Sequence, residues 1–332
     1  MKAIVMTAVG GQDVLHYQDA ADPVIRHETE ILVRIKAAGV NPVDTKLRSK
    51  GTYYPDRLPS ILGCDGAGVV VAAGSLVRRF KIDDEVYFCN GGIGGAPGTY
   101  AQYAVVDEAF VAHKPVTLDF TEAAAVPLVL ITAWESLHDR GKVQQGQSVL
   151  IHAGAGGVGH IAVQLAKHAG AWVITTVGSE EKSKFVRNLG VDEAIIYRDK
   201  DFTQAVLDWS EGDGVELALD TVGSDTFVKT FPTVRFYGDI ITLLQPNAMT
   251  DWTIARQRNL RITYELMLTP MYYALHERQR RQAEILEQAT RLFDTGKLRI
   301  HVHRCYPLIE AAQAHRDLEQ GGITGKLVLA ID

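Results

Sequence analysis

The chain has 332 residues, which is enough for two domains of ordinary size. Hydrophobic residues make up 46% and charged residues 22% of the sequence, and this balance excludes a disordered or fibrous protein. The formal net charge of -6 supplies no positive field for a phosphate backbone, so we expect no general nucleic-acid binding.

No apolar run approaches the roughly 18 residues of a membrane span, and the start of the chain, Met1 to Gly10, lacks the pattern of a signal peptide. The only cysteines, Cys64, Cys89 and Cys305, are far apart in the sequence. This usage favours a reducing compartment without a disulfide framework and excludes a four-cysteine zinc site. We therefore expect a cytoplasmic protein that does not bind membranes.

The first part of the chain, up to about Leu118, is predicted to be a β-rich barrel or sandwich, because short β-branched runs alternate with glycines. Five glycines and a proline between Asn90 and Gly98 predict a loop, since they can hold neither a helix nor a strand ladder. The predicted strands are Ala3 to Met6, Ile31 to Ala37, Gly68 to Val71, Glu85 to Phe88 and Tyr103 to Val106.

After about Thr121 the pattern changes to strands that alternate with amphipathic helices, which is typical of βαβ units on a parallel sheet. The strands account for most of a six-stranded, doubly wound α/β sheet of the Rossmann type. They are predicted at Ser148 to His152, Trp172 to Val177, Glu193 to Ile196, Val215 to Asp220, Asp239 to Leu244 and Arg261 to Tyr264.

The tail is predicted to contain a long charged helix over Tyr272 to Leu298, a strand over His301 to Tyr306, a helix over Leu308 to Leu318 and a strand over Lys326 to Ala330. A barrel left open by the N-terminal segment would gain these strands. We therefore predict one domain from residues 1–122 and 269–332, with the Rossmann domain, residues 123–268, inserted into it.

A phosphate-binding turn is predicted at Gly154 to Gly159, which satisfies the pattern G-x-G-x-x-G between a strand and a helix. This context turns a weak pattern into a dinucleotide-binding fingerprint. The glycines permit a tight turn and a close backbone approach to the pyrophosphate, and the helix N-terminus presents N–H groups to the anion. We expect Ala155, Gly156, Gly157 and Val158 to contact the cofactor.

The end of the second Rossmann strand distinguishes NADPH from NADH. NAD-binding sites usually have a carboxylate there, which accepts hydrogen bonds from the ribose 2′-hydroxyl. At this position the chain has Gly178, followed by Ser179 and, one turn later, Lys182. A glycine leaves room for a 2′-phosphate, which Ser179, Lys182 and Tyr197 could bind. Against NADPH stand Glu180 and Glu181, and Ser179 could simply cap the next helix while Lys182 lies on a solvated face. The sequence favours NADPH.

Six motifs along nearly the whole chain carry a family resemblance: Met1–Ala3, Gly39–Asp44, Leu62–Gly68, Gly98–Tyr103, Ala153–Gly159 and Gly325–Val328. With these motifs the chain resembles the zinc-independent quinone oxidoreductases of the medium-chain dehydrogenase/reductase superfamily. The resemblance implies a GroES-like domain split around a Rossmann domain, NADPH as the hydride donor, an active site in the cleft between the domains, and a homodimer. It matches Gly178, Lys182 and Tyr197 with positions that hold the 2′-phosphate, and Leu243 and Lys326 complete the predicted cofactor-binding set.

The zinc ligands of the related alcohol dehydrogenases are missing. Asn41 stands where the first cysteine ligand would fall, and Gly63-Cys64-Asp65 replaces the usual Gly-His-Glu. Zinc needs three or four converging ligands, so we predict no metal site. Cys64 is then a buried small residue beside a structural acid, although Cys64 and Asp65 could also be remnants of a metal site.

Without a Lewis acid, reduction of a simple ketone lacks several kcal/mol of oxyanion stabilisation. A quinone or an α,β-unsaturated carbonyl forms a delocalised enolate instead, which one or two hydrogen bonds can stabilise. We therefore predict an NADPH-dependent reductase of small quinones or enones. The alternatives are a zinc-type alcohol dehydrogenase, an enoyl-thioester reductase and a crystallin-like protein that binds NADPH without turnover.

Three residues are predicted to act in catalysis. The amide of Asn41 could donate to a substrate carbonyl or to the nicotinamide ribose, or it could be a loop cap before Pro42. Tyr53 matches a tyrosine that related enzymes place over the substrate, but its neighbour Tyr54 makes this assignment ambiguous. Thr132 matches a threonine near the nicotinamide, and a plain helical threonine is the alternative.

Overall fold

The computed structural model describes all residues, 1–332, and the chain forms two compact units. The first unit contains Met1–Ile131 and Leu268–Asp332, and the second contains Thr132–Met267. The second unit is therefore inserted into the first. Its observed start lies within a helix, later in the chain than the boundary predicted between residues 122 and 123.

The strands, numbered in chain order, are β1 Lys2–Met6, β2 Leu15–Asp19, β3 Glu30–Val40, β4 Ser60–Ile61, β5 Asp65–Ala73, β6 Glu85–Cys89, β7 Tyr103–Asp107, β8 Val111–His113, β9 Ser148–Ile151, β10 Trp172–Val177, β11 Glu193–Ile196, β12 Val215–Asp220, β13 Val234–Thr242, β14 Arg261–Tyr264, β15 Val302–Pro307 and β16 Lys326–Ala330.

The α-helices are α1 Pro42–Lys50, α2 Phe120–Ala124, α3 Pro127–Trp134, α4 Gly157–His168, α5 Glu180–Asn188, α6 Phe202–Trp209, α7 Ser224–Thr230, α8 Thr253–Gln257, α9 Thr269–Tyr272, α10 His276–Asp294 and α11 Ala311–Gln320. A π-helical turn, Glu135–Arg140, continues α3. None of these helices combines the length and the apolar character needed to cross a membrane.

The first unit is built on β-structure, as the glycine-punctuated sequence predicts. One sheet has the order β2-β1-β4, and the larger one has the order β15-β16-β3-β5-β6-β8, with β7 also paired to β3. The tail supplies two of these strands, because β16 runs antiparallel to β3 and β15 runs parallel to β16. The N-terminal part of the chain and its tail therefore pair in one sheet, where Val40 of β3 lies opposite Leu327 of β16.

The second unit contains the predicted six-stranded parallel sheet, in the order β11-β10-β9-β12-β13-β14. Numbered within this unit the order is 3-2-1-4-5-6, the usual order of a Rossmann sheet. The core on its helix-covered faces includes Leu150, Ile174 and Ala218 from three neighbouring strands, packed with Phe227 and Phe231 from the α7 region. The sheet positions the ends of β9, β10 and β13 at the same edge, where parallel strands present their carboxyl ends.

The long tail helix is shorter than predicted. It begins at His276 and not at Tyr272, because Ala274 has a positive φ of 51°, which an α-helix does not tolerate. The preceding residues form the separate short helix α9 with Pro270 in its first turn. The glycine-rich segment from Asn90 to Gly98 contains no helix or strand, as predicted.

Candidate active site and cofactor site

The turn after β9 requires glycine at two positions. A Cβ atom at Gly154 would lie 2.1 Å from Thr175 Oγ1 on β10, and one at Gly159 would lie 2.1 Å from the carbonyl oxygen of Ala153. Gly156 is the N-cap of α4, and Gly157 and Val158 open that helix. The first N–H groups of a helix have no partner within it, so this end can bind an anionic phosphate.

The buried side chain of His152 is hydrogen-bonded to residues that position this turn. Thr230 donates its hydroxyl proton to the carbonyl oxygen of Thr226 and therefore accepts from His152 Nε2, at 2.8 Å. His152 Nδ1 then accepts from Thr176 Oγ1 at 3.1 Å, and the same threonine oxygen accepts the N–H of Ala153. Burial lowers the pKa of His152 to about 4, so the ring is neutral at physiological pH.

Gly178, Ser179, Lys182 and Tyr197 are close together at the end of β10. A Cβ atom at Gly178 would lie 3.0 Å from the Tyr197 hydroxyl. The side chain of any larger residue would therefore occupy the space next to that hydroxyl. Ser179 is the N-cap of α5, and its hydroxyl oxygen accepts the N–H of Lys182 at 3.3 Å. The capping role considered for Ser179 is therefore present, and its hydroxyl proton is still able to donate to another group.

Arg198 adds a cation that the sequence-based prediction missed. Burial and the nearby Arg198 guanidinium lower the pKa of Lys182, so the two positive groups repel each other. An anion bound near both would relieve that repulsion. Glu180 and Glu181 are solvent-exposed at the start of α5. The position of Arg198, directly after Tyr197, was the sequence signal for this second cation.

Leu243 directly follows β13, and its N–H donates to the carbonyl oxygen of Asp220 at the end of β12. The Asp220 carboxylate accepts the N–H groups of Val222 and Gly223 and the hydroxyl of Thr242. Leu243 is thus fixed at the carboxyl edge of the Rossmann sheet, the edge at which ligands of such sheets bind.

In the first unit Asn41 lies in a buried polar cluster. Its Nδ2 donates to Asp65 Oδ2 at 2.9 Å, and its Oδ1 accepts from Lys326 Nζ. Lys326 also donates to the carbonyl oxygen of Val40 at 3.0 Å and lies 3.8 Å from Asp65 Oδ2. Asp65 Oδ1 accepts the N–H of Leu128 at 2.8 Å. We name Asn41, Asp65 and Lys326, with the neighbouring Asp44, the charged cluster.

The contacts within the charged cluster concern the predicted roles of Lys326 and Asn41. Lys326 is 4% exposed and donates to Val40 and Asn41 within the first unit, and its contact with the cofactor stays a prediction. Asn41 has no exposed surface, and its amide carries one hydrogen beyond the bond to Asp65. In this structure Lys326 is a buried cation that donates to the side-chain oxygen of Asn41.

Two cysteines that are distant in the sequence are neighbours in the fold. Cys64 precedes β5 and Cys89 ends β6, and both are buried free thiols within hydrogen-bonding distance of each other. The contact with Cys64, together with burial, raises the pKa of Cys89 well above its ordinary value. Protonated thiols are poor metal ligands. No group of three or more His, Cys, Asp or Glu side chains in the chain could hold a metal ion.

The two candidate tyrosines differ in their contacts. The Tyr54 hydroxyl donates to the carbonyl oxygen of Tyr272 at 3.1 Å, so it is used to join two segments of the first unit. The ring of Tyr53 lies 4.8 Å from the ring of Tyr272, and its hydroxyl makes no hydrogen bond within the chain. Burial raises the pKa of the half-buried Tyr53, which keeps its hydroxyl protonated. Of the two tyrosines, only Tyr53 has a hydroxyl that is available to donate a proton to a ligand.

Thr132 lies on α3 and is 5% exposed. This helix is continued by the π-helical turn, a distortion that often occurs near functional sites. The sequence did not indicate the turn, because the segment Glu135 to Arg140 has no distinguishing residue pattern.

Two family profiles match the chain. That of the alcohol dehydrogenase GroES-like domain matches residues 27–116, and that of the zinc-binding dehydrogenases matches residues 189–329. A quinone oxidoreductase of Pseudomonas aeruginosa is 35% identical over 331 residues, which is 99% of each chain. A 2-methylene-furan-3-one reductase of Solanum lycopersicum is 39% identical over 73% of this chain and 62% of the relative.

The crystal structure of Escherichia coli quinone oxidoreductase in complex with NADPH superimposes with a TM-score of 0.87 at 30% identity, covering 99% of this chain and 100% of the other. The fold and these similarities define a medium-chain dehydrogenase/reductase with a GroES-like and a Rossmann-type unit. Within that superfamily, the chain belongs to the quinone oxidoreductase family.

Proposed function

We propose that the protein is an NADPH-dependent reductase that transfers hydride to quinones or α,β-unsaturated carbonyl compounds without a metal ion. The observation that carries this proposal is the buried ammonium group of Lys326, which contacts Asn41 and the carbonyl oxygen of Val40 close to Asp65. The Pseudomonas relative named quinone oxidoreductase and the tomato relative named 2-methylene-furan-3-one reductase support the two acceptor classes.

The donor set of the charged cluster does not fit zinc. Asn41 and Asp65 are the polar groups at the position discussed for a metal, and both already bind Lys326 or each other. Zn²⁺ would have to enter beside a buried ammonium, and the adjacent Cys64 and Cys89 would have to lose their protons. We therefore infer that Lys326 provides the positive charge at this point of the fold.

A buried ammonium group can stabilise an acceptor that carries a delocalised negative charge after hydride transfer. The second amide hydrogen of Asn41 is the group that would donate to the carbonyl oxygen or to a ribose hydroxyl. Tyr53 would stack on the acceptor and supply a proton, because its hydroxyl has no competing partner. Thr132 remains a candidate for a contact near the nicotinamide.

The residues of the second unit fit NADPH, which when bound supplies the hydride. Ala155, Gly156, Gly157 and Val158 would bind the pyrophosphate, and Leu243 would line the same edge. Gly178 leaves space, and Ser179, Lys182 and Tyr197 would bind the 2′-phosphate together with Arg198. The cations favour a group that carries extra negative charge over a bare hydroxyl.

The activity is tested by the decrease in near-ultraviolet absorbance of NADPH after addition of a naphthoquinone or an alkyl vinyl ketone. We expect turnover with one or both acceptors and none of the oxidation of a simple alcohol that a zinc-type dehydrogenase would show. Saturable NADPH binding without oxidation would identify a non-catalytic binding protein, and a stoichiometric zinc ion in the active protein would contradict the metal-free mechanism. Light scattering on the same sample tests the homodimer expected from the family.

Cofactor preference is tested by Lys182→Glu. Because one charged hydrogen bond contributes about 1.5–3 kcal/mol, we expect the KM for NADPH to rise by about tenfold or more, with the KM for NADH unchanged or lower. Lys184→Glu is the matched control, since Lys184 is an exposed lysine on the same helix and makes the same charge change. An equal effect of both variants would mean that Lys182 acts only through net charge and not through the 2′-phosphate.

A further inference from the structure

The charged cluster contains two carboxylates, those of Asp44 and Asp65, but only one ammonium group, that of Lys326. The ammonium group can balance the charge of only one carboxylate. Asp44, Asp65 and Lys326 are at most 4% exposed, and Lys326 lies 3.8 Å from Asp65. With both carboxylates ionised, the interior therefore carries one excess negative charge, which is costly. Burial raises the pKa of Asp44 to about 7, and the neighbouring Asp65 acts in the same direction.

A chain of hydrogen bonds connects Asp44 on α1 through Tyr100 with His315 on α11. The Tyr100 hydroxyl donates to Asp44 Oδ2 at 3.0 Å and lies 3.2 Å from His315 Nε2. Because the tyrosine proton is used toward Asp44, Nε2 is the donor in the second bond. Burial, followed by the positive Arg48, lowers the pKa of His315 to about 3, so the ring is neutral and can exist as either tautomer.

The outer end of this chain is marked by two buried polar atoms without partners, His315 Nδ1 and Arg48 Nη1. Arg48 donates through Nε to the carbonyl oxygen of Gly10 and through Nη2 to Glu319 Oε1 at 2.6 Å. Glu319 is 34% exposed and accepts from Gln12, so this end reaches the surface. At the inner end, Asp44 Oδ1 also lacks a partner.

We propose that Asp44 is a positioning residue whose proton controls the charge beside Asn41, and that Tyr100 and His315 conduct this proton between Asp44 and the surface near Arg48 and Glu319. The proposal rests on the reductase function proposed above. It assigns a role in that reaction to three residues that the sequence-based prediction did not include.

The transfer needs no electrons and leaves every group intact. A water proton binds His315 Nδ1, the Nε2 proton moves to the Tyr100 oxygen, and the Tyr100 proton moves to Asp44 Oδ2. All hydrogen bonds of the chain persist with reversed direction, since Oδ2–H then donates to Tyr100 and Tyr100 donates to Nε2. The net change is one proton gained from solvent and a neutral Asp44.

The protonated form is the active one. Hydride addition places negative charge on the acceptor, and an ionised Asp44 bonded to the Asn41 N–H would oppose that charge. The groups that face Asp44 are Asn41 and, from the surrounding elements, Tyr100, Asp65, Lys326 and Cys64. Lys326 favours ionised Asp44, whereas Asp65 disfavours it.

The test is the pH dependence of kcat with a naphthoquinone at saturating NADPH, between about pH 6 and 9. We expect kcat of the wild-type protein to fall through one inflection as pH rises, by up to about tenfold per pH unit. Asp44→Asn imitates the protonated group, so this variant should lose the inflection and exceed the wild type at the alkaline end. Asp119→Asn, the same substitution at the N-cap of α2, should keep the wild-type profile.

Tyr100→Phe examines the route and keeps the buried ring. Loss of the hydrogen bond that lowers the pKa of Asp44 should move the inflection to higher pH. After a jump from alkaline to acidic pH, the wild type should reach its full rate at once, whereas Tyr100→Phe should show a lag. If Tyr100→Phe reached its full rate as fast as the wild type, the proposed route would be overturned.

Other outcomes are also decisive. A wild-type kcat that is independent of pH, or an Asp44→Asn profile that retains the inflection, would overturn the role of Asp44. A proportional loss of kcat at every pH in Asp44→Asn would show a merely structural role. Absence of turnover in the wild type would instead refute the proposed reductase function, so the two failures are distinguishable.

Discussion

Each unit contains a buried polar centre. The centre of the first unit consists mainly of charged groups, and that of the second unit consists of neutral groups. In the first unit the charged cluster consists of two carboxylates, an ammonium and the amide of Asn41. In the second unit His152 lies between the hydroxyls of Thr176 and Thr230, and every hydrogen bond joins neutral groups. Both centres adjoin predicted site residues, Asn41 in one case and the phosphate-binding turn in the other.

The difference indicates what each centre does. Neutral hydrogen bonds fix a backbone with little electrostatic effect on their surroundings, which suits a rigid turn that binds an anion through its own N–H groups. Buried charges create a strong local field and respond to a single proton. On the function proposed above, the neutral centre of the second unit would keep the phosphate-binding turn rigid, and the charged cluster of the first unit would supply the field in which an acceptor is reduced.

Removal of the ammonium should have the largest effect. Lys326→Met leaves Asp65 without its buried counter-ion, and breaking such a pair costs about 3–5 kcal/mol in the free energy of unfolding. Urea denaturation measures this loss, and Lys50→Met, at an exposed position of α1, should change stability by less than about 0.5 kcal/mol. Adding Asp65→Asn to Lys326→Met should recover part of the stability. A loss below about 1 kcal/mol would mean that the ammonium is not balancing the buried carboxylates.

The neutral centre should be less sensitive. His152→Leu removes both ring nitrogens and leaves the hydroxyls of Thr176 and Thr230 short of a partner, so we expect a loss of about 2 kcal/mol. His168→Leu, at an exposed position of α4, is the control for the loss of a histidine. NADPH affinity should also fall, because Thr176 positions Ala153. Unchanged affinity together with lower stability would show that the turn does not depend on this histidine.

Sequence patterns were sufficient for the Rossmann unit because its signals are local. The strand Ser148–Ile151, the glycines of the turn and the helix Gly157–His168 are consecutive, and each has a periodicity or a turn residue that identifies it. The acid-free end of β10 was equally visible at Gly178. Arg198 was missed although it directly follows the predicted Tyr197, because only the fold shows that its guanidinium is near Lys182.

The charged cluster was only partly predictable because its contacts are long-range. Asn41 and Asp65 were identified from family motifs, but Lys326 follows Asn41 by 285 positions and was assigned to the cofactor. Tyr100 and His315 are 215 positions apart, and neither lies in a pattern that distinguishes a buried polar pair from a core aromatic and a surface histidine. The pairing of β16 with β3 brings Lys326 to Asn41, and no propensity or spacing specifies that register.

The smallest expected effect concerns stability on the alkaline side. The pKa of Asp44 is raised to about 7, so the folded state binds a proton that the unfolded state has released, and stability falls as pH rises from about 4 through 7. His152, with its pKa lowered to about 4, has the opposite sign: stability is lost as pH falls from about 6.5 toward 4. Between about pH 6.5 and 8 the contribution of Asp44 falls while those of the buried His152 and His315 still rise slightly, so the Asp44 contribution, less than about 1 kcal/mol, is measured as the difference between the wild type and Asp44→Asn. As pH rises over this range, the Tm of the wild type should decrease slightly relative to that of Asp44→Asn, whereas parallel Tm profiles of the two proteins would place the titrating group elsewhere.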